Sequence, residues 1–430
     1  MSLTRYRLDV VLVTTSPIHS GGPEEEVDRR PKAIGNDDRK AVPQLFARNA
    51  SGTPVLTGRS VKGALRAAFF EALDRNLVED PEISNSQRLK DRLKALWGKG
   101  PQDEKQDNKK ARGEDDAPSS WASALTFETV SLGGVMKADS FMHRPGIAID
   151  RYWGSVGDGA LFFHEVAPEG QKLHLGITAE VDPCRFAKED KPTIEELEAD
   201  VEQLFAVILG LLNSGRFAFG KRKGAGWGRV KIAKHKTKDG KTKSCYSLTK
   251  ARLDDVEGLK AWLKGKPVSG TDCIEPATLR NGNRITIDIE WESPTGILVA
   301  ETDEEKQEEK QKDAAKPGAS EGPQGEAENA DGQKSAKEKL NVAHPLRAYK
   351  TADGEQKAPL VLPGSSVRGA LRTRASRIAR TILYRKREDE TPDWSNVPVH
   401  DQLANDPTLV RALFGTTERR GAVTVLDTLS

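Results

Sequence analysis

Apolar and polar residues alternate along Tyr6–Thr15, Ala124–Ser131, Leu173–Val181 and Val230–Ala233, the period of two expected of strands with one face in a core. Gly58–Arg75, Ser86–Leu96, Thr193–Gly215 and Ser366–Tyr384 are the helix candidates. Within the third, IEELEADVEQLFAVILGLL (Ile194–Leu212) is amphipathic at its start and apolar to its end, so it faces a core. The pattern predicts an α+β fold, an antiparallel sheet carrying helices on one face. Lys99–Ser120 and Glu301–Lys339 lack apolar periodicity and read as mobile loops.

The sequence repeats itself. VLTGRSVKGALR (Val55–Arg66) and VLPGSSVRGALR (Val361–Arg372) share nine of twelve positions, and Arg368 stands where the first copy has Lys62. Upstream, Ala41–Gly52 pairs without a gap with Ala343–Gly354. Further back, Tyr6–Pro17 resembles Ile285–Pro294, each an alternating strand ending at Ser-Pro. Downstream, Ala95–Gly98 matches Ala412–Gly415, and Ser123–Leu132 matches Gly421–Ser430. Two tandem modules follow: residues 1–275 with an insertion at 99–120, and 284–430 with an insertion at 301–339. The second reads as incomplete, since it stops at the equivalent of the strand near Leu132.

Composition narrows the class. The 430 residues suit two or three domains, and no apolar run approaches the roughly 20 residues that span a bilayer. Cys184, Cys245 and Cys273 are scattered without a C-x-x-C, so neither disulfides nor zinc is expected, and a reducing cytoplasm is the simplest home. The chain carries 67 basic and 65 acidic residues. Many of the acids fall in the two core-less loops, which leaves the folded remainder more basic and favours an anionic partner.

Three segments carry candidate chemistry. In GRSVKGALR the turn at Gly58-Arg59-Ser60 enters a helix whose Arg59, Lys62 and Arg66 share a face, where free amides and the helix dipole suit a phosphate backbone. A single copy reads better as a capped surface helix with solvated cations, and the repeat reverses that preference. The second, with Ser365, Ser366, Arg368 and Arg372, keeps both charge and glycines, which packing alone does not require. FAFGKRKGAGWGRV (Phe217–Val230) sets Lys221, Arg222, Lys223, Trp227 and Arg229 among four glycines. It follows a helix and lacks the Walker ending, so no nucleotide cofactor is expected. Its cations suit phosphates and Trp227 a base; the alternative is a hairpin with Trp227 in the core. His143–Gly170 reads as a projecting hairpin bearing Arg144 and Arg151, where Asp150 and Arg151 could equally form a local ion pair.

Taken together, PVLTGRSVKGALR, LVLPGSSVRGALR, ALWG, ALFG, the RPGIAIDR to GALFFHEV segment and GKRKGAGWGRV resemble the repeat-associated mysterious protein (RAMP) superfamily, in particular the backbone subunits of type III CRISPR effector complexes. The resemblance implies tandem ferredoxin-like (RRM-like) modules, with the hairpin near Arg144 as a thumb that kinks a guide CRISPR RNA. It also implies a complementary target RNA and other type III subunits as partners, with no membrane. Cutting members place an aspartate shortly before a Pro in the long loop and use a metal such as Mg²⁺ for target cleavage. Here Ala41 and Val42 precede Pro43, and Ala343 and His344 precede Pro345. The nearest acids are Asp37 and Asp38, with Asp28 behind them; the alternative is that all three belong to a solvated loop. A repeat-RNA processing endonuclease of the same superfamily and a general single-stranded RNA-binding protein are the competing readings.

Overall fold

The structure, a computed structural model, describes residues 4–22, 44–98, 122–132, 141–150, 156–183, 192–236, 242–264, 274–282, 284–299, 345–347, 359–384, 397, 401–402, 405–416 and 419–429. Loops 99–120 and 301–339 lie outside them. The strands are β1 (Thr4–Thr14), β2 (Val55–Leu56), β3 (Leu125–Phe127), β4 (Val130–Ser131), β5 (Met142–Ile149), β6 (Val156–Val166), β7 (Lys172–Val181), β8 (Val230–Ile232), β9 (Lys234–Lys236), β10 (Thr242–Ser244), β11 (Tyr246–Arg252), β12 (Val361–Leu362) and β13 (Thr428–Leu429). The helices are α1 (Gly58–Asp74), α2 (Pro81–Asn85), α3 (Gln87–Ala95), α4 (Ile194–Asn213), α5 (Val256–Leu263), α6 (Gly364–Tyr384) and α7 (Thr408–Phe414).

The alternation of β1 buries Thr4, Tyr6, Leu8, Val10, Leu12 and Thr14 and leaves Arg5, Arg7 and Asp9 on the other face. With one face apolar, its register cannot slip by one residue without turning the core outward. It lies in the middle of an antiparallel sheet of order β11-β1-β7-β3, with β8 pairing its C-terminal end. Leu8 stands opposite both Ile177 and Leu248.

Helix α4 covers the apolar face. Its start is set by a capping box in which Thr193 accepts from the Glu196 amide and the Glu196 carboxylate accepts from the Thr193 amide. Its apolar end, Leu204–Leu212, is buried on every side but that of Ala206. Phe205 meets Tyr6 edge to face at 6.5 Å, and the Tyr6 hydroxyl donates to Glu202 at 2.9 Å, so the one polar atom of a fully buried ring is satisfied. Helices α1 and α3 lie against α4. Trp97 closes the end of this core between Phe69 and Phe127.

The two sequence repeats make the same local frame. Leu56 pairs with Val130 and Val55 with Ser131; Leu362 pairs with Thr428 and Val361 with Leu429. A Cβ on Gly58 would collide with the carbonyl oxygen of Phe127, and one on Gly364 with that of Val425, the matching residue of the second repeat. The Gly58 amide meets the Thr129 hydroxyl at 3.4 Å and the Gly364 amide donates to Asp427 at 2.8 Å. Where Thr57 caps α1 through its hydroxyl, the second repeat has Pro363, which offers only its carbonyl.

Two expectations are corrected. The ungapped pairing of Ala41–Gly52 with Ala343–Gly354 is out of register. Val55 donates to the Ala47 carbonyl and Val361 to that of Leu346, so Ala47 corresponds to Leu346 and the second hairpin carries the longer loop. Ile285–Pro294 forms no ladder among the described residues, and Ile285, Ile287 and Ile289 are exposed. The period of two is present in the sequence, but strand formation needs a partner.

Candidate nucleic-acid interface

The hairpin β5–β6 begins at the pair Met142 and Val166, which pack with Trp227 in a small core of their own. Gly146 is glycine because the Phe162 ring crosses the neighbouring strand where a Cβ would stand. The long loop re-enters here: Gln44 donates to the Phe163 carbonyl at 2.8 Å, and Glu165 accepts from the Phe46 amide and pairs with Arg48. Asp28, Asp37 and Asp38 lie outside the described residues, but Gly22 and Gln44, which bracket their loop, both bond near this base.

The glycine-rich loop folds over the same base. Lys221 donates its amide to the His19 carbonyl at 2.9 Å, and Gly220, at φ +74°, would strike that carbonyl if it carried a Cβ. Gly228, at φ +79°, is held likewise against the Phe219 carbonyl. These glycines serve close approach within the protein. Arg222, itself left-handed at φ 57°, sends its guanidinium into an aromatic cage, 4.7 Å from the Phe162 ring and 5.7 Å from Trp227. Its Nε donates to His164 Nε2 at 3.0 Å. Burial, then the Arg222 charge, pushes His164 down to about 3, which keeps it a neutral acceptor. His19 is fully buried with Nδ1 2.7 Å from the Glu165 carbonyl, and burial lowers its pKa. Trp227 is 4% exposed, so its ring takes the core placement of the two read from the sequence.

The second repeat docks on this loop. Val425 donates its amide to the Gly224 carbonyl at 3.3 Å, Gly226 leaves room for Leu426, and the Arg368 guanidinium stands against Gly224. Across the hairpin, Gln402 donates to Asp150 at 3.0 Å. Arg151 lies outside the described residues.

Cations accumulate at this junction. Burial, then Arg368, lowers Arg222 to about 10. Burial, then Arg420, lowers Lys223; burial, then Arg284, Arg216 and Arg420, lowers Arg229. Among the described residues, none of Arg216, Lys221, Lys223, Arg229 and Arg420 makes an ion pair. The cations carried by the strands of the main sheet are the contrast. Arg5 pairs with Glu180 at 2.6 Å, Arg7 with Glu128 at 2.6 Å, Lys250 with Glu198 at 2.7 Å and Arg252 with Asp254 at 3.1 Å. Like charges held together without carboxylates raise the local potential and favour a polyanion. Arg216, Arg284 and Arg420 stand just outside the segments singled out in the sequence, each one residue ahead of one: Phe217–Val230, Ile285–Pro294 and Gly421–Ser430; Arg284 also lies 3.9 Å from Glu71.

The two helix starts differ in their cations. Arg59 and Ser60 are exposed on α1; Lys62 is half-buried with its pKa lowered by burial and then Arg66, whose guanidinium lies 4.6 Å over Phe70. On α6, Ser365 is half-buried and Ser366 exposed, while Arg368 turns inward to the Phe414 and Val423 carbonyls. Arg372 chelates the buried Asp406, at 2.9 and 2.8 Å, and Ser376 donates to the same carboxylate. Both arginines hold the second repeat together.

Among the described residues no group of three or more His, Cys, Asp or Glu is placed to hold a metal, and no helix is long and apolar enough to cross a membrane. Comparison with curated proteins finds no match. The family model of the RAMP superfamily matches residues 11–231 and 354–430, which contain the glycine-rich loop, the hairpin and both repeated helix starts. The chain therefore belongs to the RAMP superfamily, whose role is CRISPR-associated RNA binding.

Proposed function

We propose that this chain is a guide-RNA-binding backbone subunit of a type III CRISPR interference complex, built as two ferredoxin-like modules in tandem (1–275 and 284–430). The observation that carries the reading is the junction where Lys221, Lys223, Arg229, Arg216 and Arg420 gather without an ion-pair partner among the described residues. A phosphate backbone supplies those charges, and Arg59, Ser60, Lys62 and Arg66 at the first helix start extend the track. The sheet order, with the first strand between the last and the third and the second outermost, supports the ferredoxin-like core. The hairpin β5–β6, clamped at its base by Arg222 and Glu165, is the thumb.

Target-RNA cleavage with Mg²⁺ falls to the loop between Gly22 and Gln44, with Asp37 and Asp38 as the metal-binding or base candidates and Asp28 behind them. Repeat-RNA processing enzymes commonly carry an acid-base histidine near the first helix, where it can reach the scissile phosphate. His19 and His164, buried and held neutral, favour the scaffold reading over that one. The test is the RNA that copurifies with the chain from a CRISPR-bearing cytoplasm, followed by cleavage of a complementary strand by the assembled complex. A guide of fixed length supports the reading, and random RNA favours a general binder. Loss of mapped cuts in Asp37→Ala/Asp38→Ala, with target binding kept, adds the nuclease; unchanged cuts leave a scaffold.

A further inference from the structure

The second repeat meets the first where both are cationic. Helix α6 lies against β5 and against the turn Lys223–Ala225 of the glycine-rich loop. Among the described residues the boundary is held by the Val425 amide on the Gly224 carbonyl at 3.3 Å, by Leu426 beside Gly226, and by Gln402 donating to Asp150 at 3.0 Å. Like charge opposes these contacts. The Arg368 guanidinium comes within 3.4 Å of the point where Gly224 would carry a Cβ, and Gly224 follows Arg222 and Lys223 in the chain. After burial, the charge of Arg368 helps to lower Arg222, and that of Arg420 helps to lower Lys223 and Arg229. Asp427 is the opposing case, since the Arg144 charge reaches it across the boundary, although burial still raises its carboxyl. Among the described residues none of Arg222, Lys223, Arg229, Arg368 and Arg420 makes an ion pair. Docking the two repeats therefore concentrates positive charge from both sides in one place, a cost that a bound anion removes.

We propose that RNA closes this boundary: a phosphodiester held between Lys223 and Arg229 of the first repeat and Arg420 of the second bridges the two, so that binding RNA and docking the second repeat are one coupled event. This coupling rests on the RNA-binding reading and adds that part of the site arrives with the second repeat. A ligand that touches both sides only when they are docked favours the docked state by its difference in affinity for the two states. Docking in turn raises the affinity by the same factor. Salt separates the two effects. Screening shortens to about 3 Å at 1 M, so salt without RNA relieves the repulsion and tightens docking. The same salt weakens RNA binding, because fewer counterions are released.

The experiment uses the full chain with an energy-transfer dye pair attached through azide-bearing residues at the exposed positions Glu195 and Arg377. Without RNA, at about 50 mM salt, the transfer efficiency is expected to be broadly distributed. A single-stranded RNA, and separately about 500 mM salt without RNA, each move it toward one narrow value. Lys223→Ala/Arg420→Ala is expected to reach that value without RNA while binding RNA more weakly. Leu426→Ser removes no charge, yet it loosens docking and by reciprocity lowers RNA affinity roughly fivefold or more. Transfer that ignores RNA while the RNA binds saturably would overturn the coupling and leave the RNA-binding reading standing. RNA-free transfer that broadens as salt rises, or native RNA affinity in Leu426→Ser with docking lost, would overturn it as well. RNA that does not bind the native chain would overturn both.

Discussion

The Arg222 guanidinium donates to His164 Nε2 at 3.0 Å, so the base of the hairpin is tied to the glycine-rich loop by a bond that requires a neutral imidazole. In an unfolded chain a histidine titrates near 6.5. Folded, His164 titrates near 3, through burial, the charge of Arg222, then His19 and Lys221. Between those values the unfolded state binds the extra proton, so this contribution is fully present above pH 6.5 and falls as pH drops toward 3. One such group changes stability by at most about 1.4 kcal/mol per pH unit. His164→Asn keeps an acceptor for Arg222 and removes the titration. Urea midpoints at pH 7.5, 6 and 5 are expected to fall less steeply in this variant, with the remaining slope partly from His19. An unchanged slope would contradict the assignment.

Gly58 and Gly63 lie in the same motif and have opposite roles. A Cβ at 58 meets the Phe127 backbone, whereas at 63 nothing stands within 4 Å. Gly58→Ala is expected to destabilise by about 1–3 kcal/mol through overpacking. Gly63→Ala is expected to stabilise by roughly 0.5–1 kcal/mol, because alanine costs less backbone entropy in a helix. Denaturant unfolding decides both, and the pair Gly364 and Gly369 is expected to repeat the result.

This pair also marks what could be read from the chain. The repeated motif was legible because the helix start and its two glycines recur within a few residues; the contact that requires Gly58, with the distant Phe127 backbone, appears only in the fold. The α1, α3, α4 and α6 helices lie within two residues of their expected ends, and the strands near Tyr6, Leu173 and Val230 were legible for the same local reason. Pairing between distant segments was not. The hairpin register that equates Ala47 with Leu346 follows from hydrogen bonds, and the alternation at Ile285 meets no partner strand. Strand β11 and helix α5 are short and weakly patterned and were missed. At the site, Lys221, Lys223 and Arg229 stood in a visible motif. Arg216 adjoins that motif in the chain, whereas Arg284 and Arg420 join it only through folding, and nothing in the sequence distinguishes Arg372, turned onto Asp406, from a solvated cation.

Arg372 and Arg420 therefore separate in a direct comparison. Asp406 has a fully buried carboxylate, with Arg380 farther away at 3.7 Å. Removing its main partner in Arg372→Ala is expected to cost about 3 kcal/mol of stability. Arg420 is exposed and makes no ion pair among the described residues. Arg420→Ala is expected to leave stability within about 0.5 kcal/mol and to lower the salt dependence of RNA binding by about one counterion. Chemical denaturation and binding isotherms at several salt concentrations check the two halves.

The most direct test compares RNA affinity in two triple variants by fluorescence anisotropy of a labelled single strand from about 50 to 200 mM salt. One is Lys223→Ala/Arg229→Ala/Arg420→Ala, from the unpaired junction; the other is Arg5→Ala/Lys250→Ala/Arg252→Ala, which removes the same charge from ion pairs on the sheet. The account predicts that the junction variant binds roughly thirtyfold or more weakly, with a shallower salt slope. The sheet variant stays within about threefold of the native chain. Equal losses in both, or native affinity in the junction variant, would contradict it.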